Sequence, residues 1–269
     1  DNRVWIAERP LRYGLFNRLG KWVIRRADTH RVLNAEEQAK YVRLGIDPER
    51  VAILPTPTRL GRFAPDGPPG EAEALRARLG IPPDAPVIGW VGRPVQFKRV
   101  PLLIDAFALV RREHPAAHLL LVGDFSARAD IRAQIARLGL EDAVHIAGRV
   151  DHADLPAYYR LCAVYVHGSI YEGLGKVMIE AAASGRPVVA TRTAGAAEIV
   201  VDGATGSICN PEDAADMATK IGTLLADPAR AQEMGRAARA YVLQKFDHAR
   251  ALDAVIETWQ RCAAPGRRG

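Results

Sequence analysis

From Pro86 to Asn210 short apolar runs alternate with stretches of helical periodicity, and that alternation leaves few folds open. Val87-Ile88-Gly89-Trp90-Val91 precedes an amphipathic segment from about Val100 to Glu113. His118-Leu119-Leu120-Leu121-Val122 precedes another from about Ala129 to Leu138, and Val144-His145-Ile146 a shorter one around Leu155 to Leu161. Val164-Tyr165-Val166, a helix over Val177 to Ala183 and a strand from Pro187 to Thr191 complete the series. Unbroken apolar runs suit strands buried on both faces, and strands separated by helices pair in parallel. The expected core is therefore α/β, a Rossmann-like parallel sheet with helices on both faces. Ligands of such sheets gather at the carboxyl ends of the strands. Arg93, Asp124, Gly148, Ser169 and Thr193 all fall at or just past those ends.

Two further parts flank this core. The first 63 residues carry a helix (Leu11 to Ala27), a strand (Arg31 to Leu33), a helix (Glu36 to Leu44) and a strand (Val51 to Leu54). That order matches the closing portion of a partial second Rossmann-like domain. The chain starts Asp1-Asn2-Arg3 with no initiator methionine, so its native N-terminus is expected to be missing. The stretch Ala64 to Gly70, rich in proline and glycine, reads as a linker. The expected division is 1–63 as remnant domain, 64–85 as linker and lead-in, 86–246 as core, and 247–269 as a crossover helix and tail. After Pro211 helices are expected near 212–226, 229–245 and 248–262.

Composition narrows the class. With 48% hydrophobic and 25% charged residues, and no apolar stretch long enough to span a bilayer, the chain reads as a soluble globular protein. Its formal charge of +6 comes without the aromatic-basic pattern of a nucleic-acid module, so phosphorylated ligands or an anionic membrane surface fit better. Cys162, Cys209 and Cys262 are widely spaced and make neither a disulfide framework nor a metal knot; a reducing, cytoplasmic compartment is expected. His114 and His118 have the spacing of a helical metal pair, but Pro115 between them breaks the helix. No Asp-x-Asp occurs, and no metal or other cofactor is expected.

The stretch Tyr171 to Glu180 carries the most chemistry. A glycine-flexed turn, Gly173-Leu174-Gly175, stands between Glu172 and Glu180 at the mouth of a helix. Glycines let backbone amides approach a ligand, and the helix start favours anions. Carboxylates bond paired sugar hydroxyls; amides and cations bond phosphate. The turn therefore suits a sugar joined to phosphate. Gly175-Lys176 lacks the rest of a P-loop, and the Gly-x-Gly pair lacks the third glycine of the dinucleotide fingerprint. Arg93, with a planar fork, and Lys98, a mobile point charge, follow the first core strand, where a diphosphate fits.

In order along the chain, these motifs resemble the donor-binding half of a retaining glycosyltransferase of family 4, with the two-domain GT-B fold. The matching stretches are Val91-Gly92-Arg93 with Lys98, Leu120 to Gly123, Val144 to Gly148, and Ser169 to Gly175. Glu180-Ala181, Gly185 to Thr191, Gly195 to Val200 and Asp202 to Gly206 follow. The resemblance implies that Arg93 and Lys98 hold the donor diphosphate and that Glu172 accepts bonds from the donor sugar. It implies further that Gly92 and the backbone of Gly173, Leu174, Gly175 and Lys176 support sugar and phosphate, and that Glu180 holds the ribose. Arg149 and Val150 would border the base, and Glu198 would add a carboxylate. Three departures stand out: Gly168 where the family usually has proline, Lys176 for an apolar residue, and Pro55 to Arg59 for an asparagine-glycine turn.

The implied partners are a nucleotide-diphosphate sugar and a glycan or lipid-linked acceptor. The basic amphipathic helix over residues 11–26 reads first as the inner face of a Rossmann helix; peripheral contact with anionic lipid is its second reading. Two functions compete with a transferase: a non-catalytic nucleotide-sugar binding module, and another GT-B enzyme such as an epimerase. A glycine-rich first turn and a cleft-facing histidine in the preceding domain would favour the transferase.

Overall fold

The computed structural model describes residues 10–54 and 56–263, with side chains from residue 15 onward. The described residues form two compact units: one spans Thr58–His248, the other comprises those up to Pro57 and those from Ala249 onward.

The larger unit is built on six parallel strands: β3 (Val87–Val91), β4 (His118–Val122), β5 (Val144–Gly148), β6 (Val164–His167), β7 (Val188–Thr191) and β8 (Gly206–Cys209). β1 (His30–Val32) and β2 (Val51–Ile53) pair in parallel in the smaller unit, beside α1 (Pro10–Arg26) and α2 (Ala35–Arg43). In the six-stranded sheet the order is β5-β4-β3-β6-β7-β8, so the chain winds one way from β3 and then reverses to the other side. The reversal leaves a crevice between the carboxyl ends of β3 and β6.

Between the strands run α3 (Glu71–Leu79), α4 (Val100–Glu113), α5 (Ala129–Arg137), α6 (Leu155–Leu161), α7 (Lys176–Ala183) and α8 (Ala194–Ile199). α9 (Ala214–Ala226), α10 (Pro228–Lys245) and α11 (His248–Ala263) close the chain. α4 shows how sequence sets packing. Val100, Leu103, Ile104, Phe107 and Val110 recur at helical spacing, and all are buried in one core with Ile88, Trp90, Leu119 and Leu121 of the sheet. Residues of β3, β4, β6 and β7 are buried throughout, as a sheet covered on both faces requires.

Three elements depart from the sequence reading. α3 lies inside the segment read as linker and lead-in. Its residues are strong helix formers, but Leu75 alone is buried, so it carries no apolar stripe to read. The short α8 and the edge strand β8 were not anticipated either. Among the described side chains of α1, Leu15, Phe16, Leu19, Trp22 and Val23 are exposed. Only Ile24 packs on the small core of Val32, Ile46 and Val51.

Candidate functional site

The crevice between β3 and β6 brings together residues that are remote in sequence. β3 ends in Gly92-Arg93, and a single 3₁₀ turn, Gln96–Lys98, presents the Lys98 ammonium back across the switch point. β6 ends in His167, and the following loop carries Ser169 and Glu172 to the same place. Lys98 Nζ and Glu172 Oε2 meet there as an ion pair, largely buried, across a sequence separation of 74 residues.

His167 completes the cluster. It is 1% exposed, and its Nε2 stands 3.0 Å from Glu172 Oε2 and 2.9 Å from Ser169 Oγ. An ionised carboxylate only accepts, so Nε2 carries the proton and donates to Glu172. Nδ1 is then a bare lone pair, buried without a partner. Burial holds the pKa of His167 below its ordinary 6.5, against the pull of Glu172, so the ring is neutral near pH 7. Burial alone would raise the pKa of Glu172, but the bonds and charges of His167 and Lys98 outweigh it and hold the carboxyl at about 2. Glu172 is a fixed anion with a fixed orientation.

The helix beside it is left open. Gly175 caps α7 with φ 71°, and no side chain bonds its first amides. A Cβ at that left-handed position would run into the methyl of Met178. α8, α9 and α10 have a side-chain cap, from Thr193, Asp213 and Asp227, while α3 to α6 lack one as α7 does. The glycine turn is held from behind by Gly195, whose amide donates to Glu172 O at 2.8 Å. A Cβ on Gly195 would stand 2.8 Å from Glu172 O and 2.9 Å from Leu174 N, so the turn can lie there only against a glycine.

Glu180 sits deeper, 4% exposed on α7. His152 Nε2 meets its Oε1 at 2.9 Å, and the Tyr159 hydroxyl donates to its Oε2 at 2.9 Å. Tyr159 meets Tyr165 at a tilt of 59° and Tyr165 stacks on His167, with ring centroids 5.7 Å and 6.4 Å apart, and the series links Glu180 to the Glu172 cluster. Burial raises the pKa of Tyr165 far above its ordinary value, and both carboxylates add to that shift.

Arg93, Arg149, Lys176 and Arg192 are exposed near these loops and form no ion pair with the described residues. Gly92, Val150 and Gly173 are half-buried in the loops themselves, and Leu174 is buried. Glu198 lies elsewhere in the network: its carboxylate pairs with Lys245 of α10 at 2.8 Å, which ties α8 to α10. The structure thus joins Lys98 directly to Glu172, sets Glu180 one aromatic chain away, and draws Glu198 into a helix-helix contact. Sequence reasoning missed His167, His152 and Tyr159 as parts of this region, and gave Gly195 a place in a matched stretch without a role. Only His167 left a signal, as the last residue of an apolar strand two positions before Ser169. Among the described residues no three His, Cys, Asp or Glu side chains gather closely enough to hold a metal ion.

A doubly wound parallel sheet, with an open helix start and exposed cations on the loops at its carboxyl edge, defines the class of α/β domain. The chain belongs to the group 1 glycosyl transferases, whose family model matches residues 71–241. It is 33% identical over 247 residues to a D-inositol 3-phosphate glycosyltransferase of Nocardia farcinica, covering 89% of this chain and 54% of that protein. It is 36% identical over 200 residues to a GDP-mannose-dependent alpha-(1-6)-phosphatidylinositol monomannoside mannosyltransferase of Mycolicibacterium smegmatis, covering 72% and 52%. Among solved structures it is similar to Anabaena HepE in complex with UDP and glucose, with TM-score 0.83 and 27% identity over 91% of this chain and 66% of that one. The chain spans about half the length of the curated relatives it matches.

Proposed function

We propose that the protein transfers a sugar from a nucleotide-diphosphate donor to an acceptor hydroxyl with retention at the anomeric carbon. The observation that carries this reading is the Lys98–Glu172–His167 cluster, set across the switch point beside an uncapped helix start. As the glycosidic bond breaks, its electron pair leaves with the diphosphate. Arg93, Lys98 and the first amides of α7 are positioned to stabilise that charge before it forms, and no metal is then needed to neutralise it. Glu172, kept ionised by Lys98 and His167, accepts hydrogen bonds from the donor sugar. Lys98 exchanges Glu172 for phosphate as the donor enters. Glu180 takes the ribose hydroxyls by yielding its bond to His152, while Tyr159 keeps the carboxylate in place. Arg149 and Val150 border the base.

The similar proteins act with GDP-mannose or bind UDP and glucose, which supports a nucleotide sugar as donor and leaves the base to experiment. Calorimetry of this chain against UDP, GDP and ADP tests the donor site. Saturable binding of one of them, lost in Glu180→Gln, is the expected result; equal affinity in that variant would remove Glu180 from the site. Retention is tested on the full-length protein by the anomeric configuration of its product by NMR, and an inverted product rejects it.

A lipid surface belongs to the same proposal. Leu15, Leu19 and Trp22 are exposed on α1 beside Arg18, Lys21, Arg25 and Arg26, the pattern of a helix lying on anionic lipid. No described helix is long and apolar enough to cross a membrane. Sedimentation with vesicles that contain phosphatidylglycerol should carry the protein down, and sedimentation that ignores anionic lipid ends this part of the proposal.

A further inference from the structure

At the amino ends of β3, β6 and β7, on the side of the sheet away from the glycine loops, lies a cavity of about 290 Å³ lined by Arg76, Arg160 and Arg186. Arg76 comes from α3, Arg160 from the last turn of α6, and Arg186 from the turn between α7 and β7. Backbone carbonyls use part of each of two guanidinia. Arg186 Nε donates to Ser184 O and Nη1 to Cys162 O, both at 3.1 Å; Arg76 Nη1 donates to Ala85 O at 2.9 Å and Pro82 O at 3.1 Å. Arg160 Nη2 is held by Glu71. Among the described residues neither Arg76 nor Arg186 has a carboxylate within ion-pair distance, so three positive charges share the single contacting carboxylate of Glu71. Each guanidinium keeps at least one nitrogen with no hydrogen-bond partner.

This arrangement has a cost that an anion would remove. Burial lowers the pKa of Arg186, and the neighbouring charge of Arg160 lowers it further, while Cys162 and the exposed Asp66 act in the opposite sense. Planar guanidinium forks match phosphate oxygens, and a cavity of this size sits at the small end of ligand sites. Its walls are otherwise mostly apolar, Val87, Cys162, Pro187 and Leu224 among them, with Gln232 as a further polar side chain, and its size suits a compact group.

We propose that this cavity is a second anion site, which binds a dianionic phosphate or a small phosphate monoester separately from the nucleotide donor. The experiment is calorimetry of this chain with inorganic phosphate and with glucose 6-phosphate as probes, in four proteins: the parent, Arg93→Ala, Arg186→Gln and Arg160→Gln. The expected result is saturable binding that survives Arg93→Ala and weakens about tenfold in each of the other two variants. UDP and GDP titrations should be unchanged in Arg160→Gln, which separates this site from the donor site whatever becomes of that reading. Arg186 also anchors two carbonyls, so Arg160→Gln decides the matter if Arg186→Gln fails to fold. Phosphate heat that vanishes in Arg93→Ala and persists in Arg160→Gln would assign the anion to the donor crevice and overturn the proposal. So would the absence of saturable binding at millimolar probe.

Discussion

The two ends of the six-stranded sheet place cations in opposite electrostatic surroundings. In a parallel α/β layer the helix C-termini face the amino ends of the strands, and the helix N-termini face the carboxyl ends. At the amino ends, Arg186 donates to Ser184 O and Cys162 O, the C-caps of α7 and α6, where a helix dipole favours positive charge, while Arg76 donates to Pro82 O and Ala85 O of the loop before β3. At the carboxyl ends, Lys98 lies just before α4 and Lys176 opens α7, so both stand near positive helix ends, where a cation is disfavoured by about 0.3–1 kcal/mol, and Arg93 follows β3 in the same group of loops. Cations in that position make sense when an anion arrives. Glu172 already plays the part for Lys98, and a diphosphate would play it for the others. The comparison teaches that like side chains meet opposite fields at the two ends of one sheet: backbone carbonyls hold Arg186 at the amino ends, whereas a carboxylate holds Lys98 at the carboxyl ends.

The largest effect is expected from removing the exposed cation that follows β3. In the full-length protein Arg93→Ala is expected to lower turnover by about 10²–10³, the loss typical of one preorganised donor at a developing oxyanion. Turnover close to that of the parent would show that the carboxyl-end cations are only solvated charge. Next comes the backbone that gathers them. Gly195→Ala puts a methyl against the carbonyl of Glu172 and the amide of Leu174, with an expected cost of about 1–3 kcal/mol in chemical denaturation and weaker nucleotide binding. Unchanged stability would mean that the turn can move aside.

The pH dependence separates the cluster from the rest of the sheet. His167 stays neutral when folded, whereas the unfolded chain protonates below 6.5; stability therefore falls as the pH drops below that value. Glu172 acts further down: its contribution is complete above 4.5 and is lost as pH falls toward 2. His118 and His145, paired at the amino ends of β4 and β5, have pKa values lowered by burial as well and add to the first loss. His167→Gln should flatten part of the decline below 6.5, measured by urea unfolding across pH. An unaltered slope would assign the decline to the amino-end pair and to His30, whose pKa burial also lowers. The smallest effect is expected at Glu198. Its pair with Lys245 is partly exposed, so Glu198→Gln should cost below about 1 kcal/mol and leave nucleotide affinity unchanged. A loss of affinity would restore it to the donor site.

Much of this was legible in one dimension. β3, β4, β6 and β7 announced themselves as apolar runs, because a strand buried on both faces needs few polar residues, and the half-buried edge strand β5 still showed through Val144 and Ile146. The glycine turn at Gly173 to Gly175 and the positions of Arg93 and Lys98 followed from where those runs stop. α3 escaped notice because a helix with one buried residue leaves no periodic trace. β8 escaped because Gly206 to Cys209 is an edge strand with a polar residue inside it.

Sequence by itself determined which segments become strands and helices and on which side of the sheet the glycines, Arg93 and Lys98 would lie. Apolar period and turn chemistry are local, and local order decides both. Tertiary structure alone decided the partners. The strand order β5-β4-β3-β6-β7-β8 sets β3 beside β6, and so puts Lys98 on Glu172 across 74 residues of chain. It turned His167 inward to fix that carboxylate, gave Glu180 to His152 and Tyr159, and sent Glu198 to Lys245. Strand pairing is a choice among distant segments of similar hydrophobicity, and only packing them all at once decides it.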